Sequence, residues 1–114
     1  MSDIELLLQG GADANMKNEN DFSLLMSSAS ENQIEAVKTL IKYGAKIESK
    51  DKKDYTALDY AVSNNHLNMV KLLISLGSLP TDNSYMLSVS KDFKDITKYF
   101  DTLDDNKKIF LKNN

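Results

Sequence analysis

The feature that most constrains this chain is self-similarity at an interval of 33 residues. Residues 4–12, 37–45 and 70–78 align at that spacing, and each is an apolar run closed by a glycine, Gly11, Gly44 or Gly77. The same interval lays Phe22-Ser23-Leu24-Leu25 on Tyr55-Thr56-Ala57-Leu58. It also lays Ser30, Asn32, Val37, Lys38 and Leu40 on Ser63, Asn65, Val70, Lys71 and Leu73. Matches spread along the whole unit, with two helix-like stretches in each, imply a stacked helical repeat. No single unit of such a stack can bury its apolar face alone. At 114 residues the chain has room for one domain.

Each unit carries the punctuation of two short helices. Ser23 and Thr56 stand where an N-cap is wanted, immediately before an apolar stretch. Asn32 and Asn65 fall between the two helices, and asparagine is among the non-glycine residues that best tolerate a left-handed turn. Gly44 and Gly77 close the second helix, where a left-handed residue commonly ends it. The polar stretches 12–21 and 45–54 then have the length of a short hairpin finger.

With the unit laid out, residues 51–61, Asp51-Lys52-Lys53-Asp54-Tyr55-Thr56-Ala57-Leu58-Asp59-Tyr60-Ala61, resemble the ankyrin signature D-x-x-G-x-T-P-L-H-x-A. Residues 65–77 resemble its G-H-x-x-I-V-x-x-L-L-x-x-G continuation, and Gly11-Ala12-Asp13-Ala14-Asn15 resembles the G-A-D-V-N that closes a repeat. The resemblance covers residues 2–81. It implies an all-α ankyrin-repeat solenoid of stacked helix–turn–helix units with hairpin fingers. The sequence departs from the pattern at three points. Asp21 and Asp54 replace the turn glycine, and Leu24 and Ala57 replace the proline. Met26 and Asp59 replace the histidine, so the hydrogen-bond relay that the family builds on that histidine is expected to be absent or altered.

The ends are read as follows: a half-repeat at 2–17, full repeats at 18–50 and 51–81, a degenerate closing repeat at 82–103 and a charged tail at 104–114. Val89, Ser90, Asp95, Ile96, Lys98, Tyr99 and Phe100 match the second repeat at a spacing of 27 rather than 33. This places a loss of six residues in the finger after Gly77. Helices are predicted over 83–90 and about 94–103, with Asp82 as the N-cap of the first. At the other end Ser2 and Glu5 form an S-x-x-E capping box that Met1 can staple. That second helix has no first helix before it, so an open apolar edge is expected there. The half-repeat is either a native cap or the cut edge of a longer array.

Little in the sequence suggests catalysis. His66 is the only histidine, and it falls where ankyrin repeats often carry one. Asp101, Asp104 and Asp105 lack the alternate spacing, glycine and late glutamate of a calcium loop. Lys50, Lys52 and Lys53 are interleaved with Asp51 and Asp54, which argues against a phosphate site. Gly10-Gly11 ends a helix, whereas a phosphate cradle precedes one. With no cysteine, thiolate metal sites and disulfides are excluded. No enzyme activity, cofactor or metal is expected.

The net charge of −3 offers no general field for nucleic acid and mildly favours a basic protein partner. No apolar run reaches membrane-spanning length. The acidic start is unlike a signal peptide, and a cytoplasmic location is expected. The function implied by the resemblance is non-catalytic protein–protein interaction through a concave face. Three roles stay open within it: an adaptor, a dedicated inhibitor or immunity protein for a toxin or enzyme, and a structural piece of a longer array. A monomer is expected, with self-association through the N-terminal edge as the alternative. Carried over from the family residue by residue, the contact positions are Glu19, Asn20, Phe22, Ser30 and Glu31 in one repeat. In the next they are Lys50, Lys52, Lys53, Tyr55, Ser63 and Asn64. Met26 and Asp59 are added as half-exposed candidates at the histidine position. Phe22 and Tyr55 rank first, because rim aromatics are over-represented among hot spots.

Overall fold

The turns set the architecture. In the computed structural model, which describes residues 3–103, five residues other than glycine adopt a left-handed backbone: Asp21, Asn32, Asp54, Asn65 and Asp92, with φ between 59° and 67°. All are Asn or Asp, whose short polar side chains tolerate that region. Gly44 and Gly77 close second helices at φ 96° and 113°, where an L side chain would be strained. Between these breaks the described residues form seven short helices: α1 (Asp3–Gln9), α2 (Leu24–Ser30), α3 (Ile34–Lys42), α4 (Ala57–Ser63), α5 (Leu67–Ser75), α6 (Asp82–Ser90) and α7 (Lys94–Asp101).

The helices pack as antiparallel pairs, α2 with α3, α4 with α5 and α6 with α7, and the pairs stack. The first helices form one row, α2 against α4 against α6, while α1 packs on α3 and α5 on α7. The molecule is accordingly elongated, 43 × 27 × 24 Å. Its core repeats with the sequence. Val37 and Val70, Leu40 and Leu73, and Leu25 and Leu58 are all buried, and Ile96 and Phe100 continue the row at the 27-residue spacing of α7. Polar staples join successive units. Asn15 donates from Nδ2 to the Gly44 carbonyl at 3.1 Å and accepts from the Lys46 N–H at 2.8 Å. Its counterpart 33 residues on, Glu48, accepts from the Ser78 hydroxyl at 3.1 Å.

Ser23 and Thr56 are N-caps, as the sequence predicts, and each belongs to a reciprocal capping box. The closing repeat differs from its expectation. Thr81, not Asp82, is the N-cap of α6 and accepts from the Ser84 N–H, while Asp82 is the first helical residue. Thr81 follows Thr56 by 25 positions, yet the two second helices start 27 apart. The finger has therefore lost eight residues rather than six, and α6 has gained two over α4. Alignment on the second helix alone hides this exchange. The proposed Ser2–Glu5 box, the Met1 staple and residues 104–114 involve positions outside the described residues.

Candidate functional site

The two fingers are built by one device. Asn18 in the first accepts from the N–H groups of Asn20 at 2.9 Å and Phe22 at 3.1 Å through Oδ1. Asp51, 33 residues on, accepts from Lys53 at 2.9 Å and Tyr55 at 3.0 Å through its own Oδ1. Such side-chain-to-backbone turns are what Asn and Asp supply at a loop tip. Asp21 and Asp54 then take the left-handed position. An ion pair spans each turn: Lys17–Asp21 at 3.5 Å and Lys50–Asp54 at 3.5 Å. The first finger also closes an antiparallel bridge between Lys17 and Ser23. The fingers are tied together by the Lys52 N–H, which donates to the Asn20 carbonyl at 3.0 Å.

An aromatic cluster sits where fingers and first helices meet. The Tyr60 ring, projecting from α4, meets Phe22 edge-on at 5.2 Å and Tyr55 in a tilted contact at 5.4 Å. The Tyr60 hydroxyl donates to Asp51 Oδ2. Burial resists the charge on Asp51. The hydrogen bonds from Tyr60, Tyr55 and Lys53, with the nearby Lys53 charge, outweigh that burial and hold the carboxyl below its ordinary range. Burial first, then the bond to Asp51, pushes the Tyr60 phenol well above its usual value. Phe22, Tyr55 and Tyr60 are each half-buried, so one part of each ring holds the array while another faces solvent. Beside them, between the fingers, lies a pocket of about 380 Å³ lined by Asn18, Asn20, Phe22, Asp51, Lys52, Lys53 and Tyr60.

The remaining sequence candidates divide in three. Glu19, Asn20, Glu31, Lys50, Lys52 and Lys53 are exposed. Ser30, Ser63 and Asn64 lie at the far ends of the first helices, and two of them are engaged. Asn64 donates from Nδ2 to Ser30 Oγ at 2.9 Å, and the Ser30 carbonyl lies 2.9 Å from His66 Nε2. A carbonyl only accepts, so His66 carries its proton on Nε2 and ties the two repeats together. Met26 and Asp59 correct an expectation. They are buried, with 1% and 2% of their surface exposed, not half-exposed. Each is the third helical residue, whose side chain folds back to the N-cap: Met26 Sδ accepts from the Ser23 N–H at 3.4 Å, and Asp59 Oδ2 from the Thr56 N–H at 3.1 Å. Asp59 Oδ1 also accepts from the Ser84 hydroxyl at 2.9 Å. A relay between repeats thus survives on a carboxylate, and both side chains lie inside the folded array.

A family profile describing ankyrin repeats, in three copies, matches residues 2–84. The chain belongs to the ankyrin-repeat family. Ankyrin repeats are generally protein–protein interaction modules and typically not catalytic. No curated protein matches the chain. Among the described residues, no group of three or more His, Cys, Asp or Glu side chains is placed to hold a metal ion, and no helix is long and apolar enough to cross a membrane.

Tyr60, Asn18 and Asp51 are members of this site that sequence comparison passes over. The repeat-mate of Tyr60 is Ser27, so the 33-residue spacing marks that position as variable. A tyrosine directly after the capping-box residue, one helical turn beyond the Thr56 cap, was the available signal. A second surface lies at the N-terminal edge. A groove of about 310 Å³, lined in part by Met16, Phe22, Leu24 and Ser27, flanks the side of α2 that, among the described residues, no other first helix covers. Leu24 is half-buried there, while its mate Ala57, covered by α2, is fully buried. Leu6 and Leu7 of α1 are exposed as well.

Proposed function

We propose that this ankyrin-repeat chain binds another protein through the face formed by its two fingers and the adjoining ends of α2 and α4. The observation that carries this reading is the Phe22–Tyr60–Tyr55 cluster. Three rings held against one another, each partly open to solvent, give apolar contact area whose rotamers are already fixed. Binding there orders little that is not ordered already. The exposed Glu19 and Glu31 and the net charge of −3 favour a basic patch on the partner beside the first finger. These surface charges act more on association rate than on affinity. A dedicated inhibitor of a basic enzyme or toxin is the narrower form of the same reading.

The test is a titration. A partner captured from the native source is measured by calorimetry against the wild-type chain and against Phe22→Ala/Tyr55→Ala. The double variant is expected to lose roughly 30-fold in affinity, the equivalent of one hot spot of about 2 kcal/mol, with its helical circular dichroism retained. Unchanged affinity would remove the finger face as the binding surface.

A further inference from the structure

The pocket between the fingers is lined by lysines, whereas the tip of the first finger carries Glu19. Its polar groups can be counted. Asn18 Oδ1 already accepts two backbone N–H groups, so both its lone pairs are used and its Nδ2–H₂ end is the one left to offer. Asp51, 8% exposed, is similarly committed: Oδ1 takes two N–H groups and Oδ2 takes the Tyr60 hydroxyl. Against that single engaged carboxylate stand two exposed ammonium groups, Lys52 and Lys53. The neighbouring Lys50 pairs with Asp54 within its own finger, at 3.5 Å. The pocket therefore presents donors and a net positive charge, with the Phe22 ring as an apolar wall.

We infer that this pocket receives a carboxylate side chain, aspartate or glutamate, from the partner's contacting segment, with the carboxylate between Lys52 and Lys53 and the methylenes on Phe22. This rests on the finger face being the binding surface and adds the chemistry of one anchor. Because position 19 is Glu and its repeat-mate at 52 is Lys, the matching partner surface is a dipole, basic opposite the first finger and acidic opposite the second. A uniformly basic partner would set its charge against Lys52 and Lys53, and like charges at an interface select strongly against a partner.

The pocket can be probed without the partner. The ¹⁵N-labelled chain is titrated with N-acetylglutamate amide, N-acetylglutamine amide and N-acetyl-lysine amide at matched ionic strength. The expected result is saturating shifts confined to the amides of Asn18, Asn20, Lys52 and Lys53. Glutamate should bind about fivefold more tightly than glutamine, the size of one exposed ion pair. That preference should vanish in Lys52→Gln/Lys53→Gln, whose spectrum elsewhere superimposes on the wild type. Equal binding of glutamine, tighter binding of lysine, or no saturating shift overturns the proposal. If the glutamate preference is absent while Phe22→Ala/Tyr55→Ala still loses its partner, the carboxylate anchor falls and the finger face stands.

Discussion

The two full repeats share their caps and turns and differ in the side chains that matched positions carry. Ser23 and Thr56 cap their helices in the same way, and Asp21 and Asp54 take the same left-handed turn. Yet Asn18 faces Asp51, Glu19 faces Lys52, and Met26 faces Asp59 across the 33-residue interval. What is held constant is a hydrogen-bond acceptor at a given place: an amide or a carboxylate at the finger, a thioether or a carboxylate at the cap. Charge is free to change wherever acceptor geometry is kept, so one scaffold carries two fingers of opposite sign. The core and the caps should respond alike in both repeats except where their neighbours differ, and variants at matched positions can test that.

The largest effects belong to the core. Leu40 and Leu73 are both fully buried, and replacing either with alanine is expected to cost roughly 2–5 kcal/mol by opening a cavity. The two should not be equal. Leu73 lies in α5, which packs on α4 and α7, and Leu40 in α3, which packs on α2 and α1; among the described residues α1 has no first helix packed beside it, as α7 has α6. The α1 side can settle into a cavity, so Leu40→Ala should fall near the lower bound and Leu73→Ala near the upper. Urea midpoints read at a common slope decide the order. A larger cost at Leu40 would mean that α1 is as firmly held as the inner helices.

Next come the capping-box residues. Asp59→Ala removes the acceptor for both the Thr56 N–H and the Ser84 hydroxyl. A loss of about 1–3 kcal/mol is expected, because buried donors are left without partners. Met26→Leu keeps the packing volume and gives up only a weak sulfur acceptor, so it should cost under about 1.5 kcal/mol. A thermal or urea melt showing Met26→Leu to be the more damaging of the two would break the view that Asp59 links the second and closing repeats.

Legibility in the sequence followed the reach of each interaction. The stacked core was readable because burial repeats with the chain: Val37 and Leu40 predict Val70 and Leu73. The breaks at Asn32, Asn65, Gly44 and Gly77 were readable because few residues accept a left-handed φ. The burial of Met26 and Asp59 was missed because their exposure was borrowed from the family histidine, whereas the third helical residue of a capping box turns back toward its cap. Thr81 was missed because α6 is longer than its counterparts, which no fixed spacing can report. Tyr60 and the inter-finger pocket depend on two fingers meeting in space, and a repeat compared with itself does not contain that contact.

The smallest expected effect comes from the turn acceptor, which is an amide in the first finger and a titratable carboxylate in the second. Asp51 has its folded-state pKa held below the ordinary aspartate value of 3.8, while its mate Asn18 does not titrate. A depressed carboxylate contributes stability that is fully present above the unfolded-state pKa and is lost as pH falls through the lower, folded-state value. The turn built on Asp51 should therefore weaken below about pH 4, whereas the Asn18 turn acceptor keeps its bonds. Asp51→Asn keeps an acceptor for the Lys53 and Tyr55 N–H groups and removes the charge. Its urea midpoint should fall less between pH 5 and pH 3 than that of the wild type, and at pH 5 it should lie slightly lower. Asn18→Asp is the converse change and should steepen the same acid limb by placing a carboxylate at the turn acceptor of both fingers. An identical acid limb in all three proteins would show that the hydrogen bonds around Asp51 hold the turn by shape alone, with its charge contributing nothing.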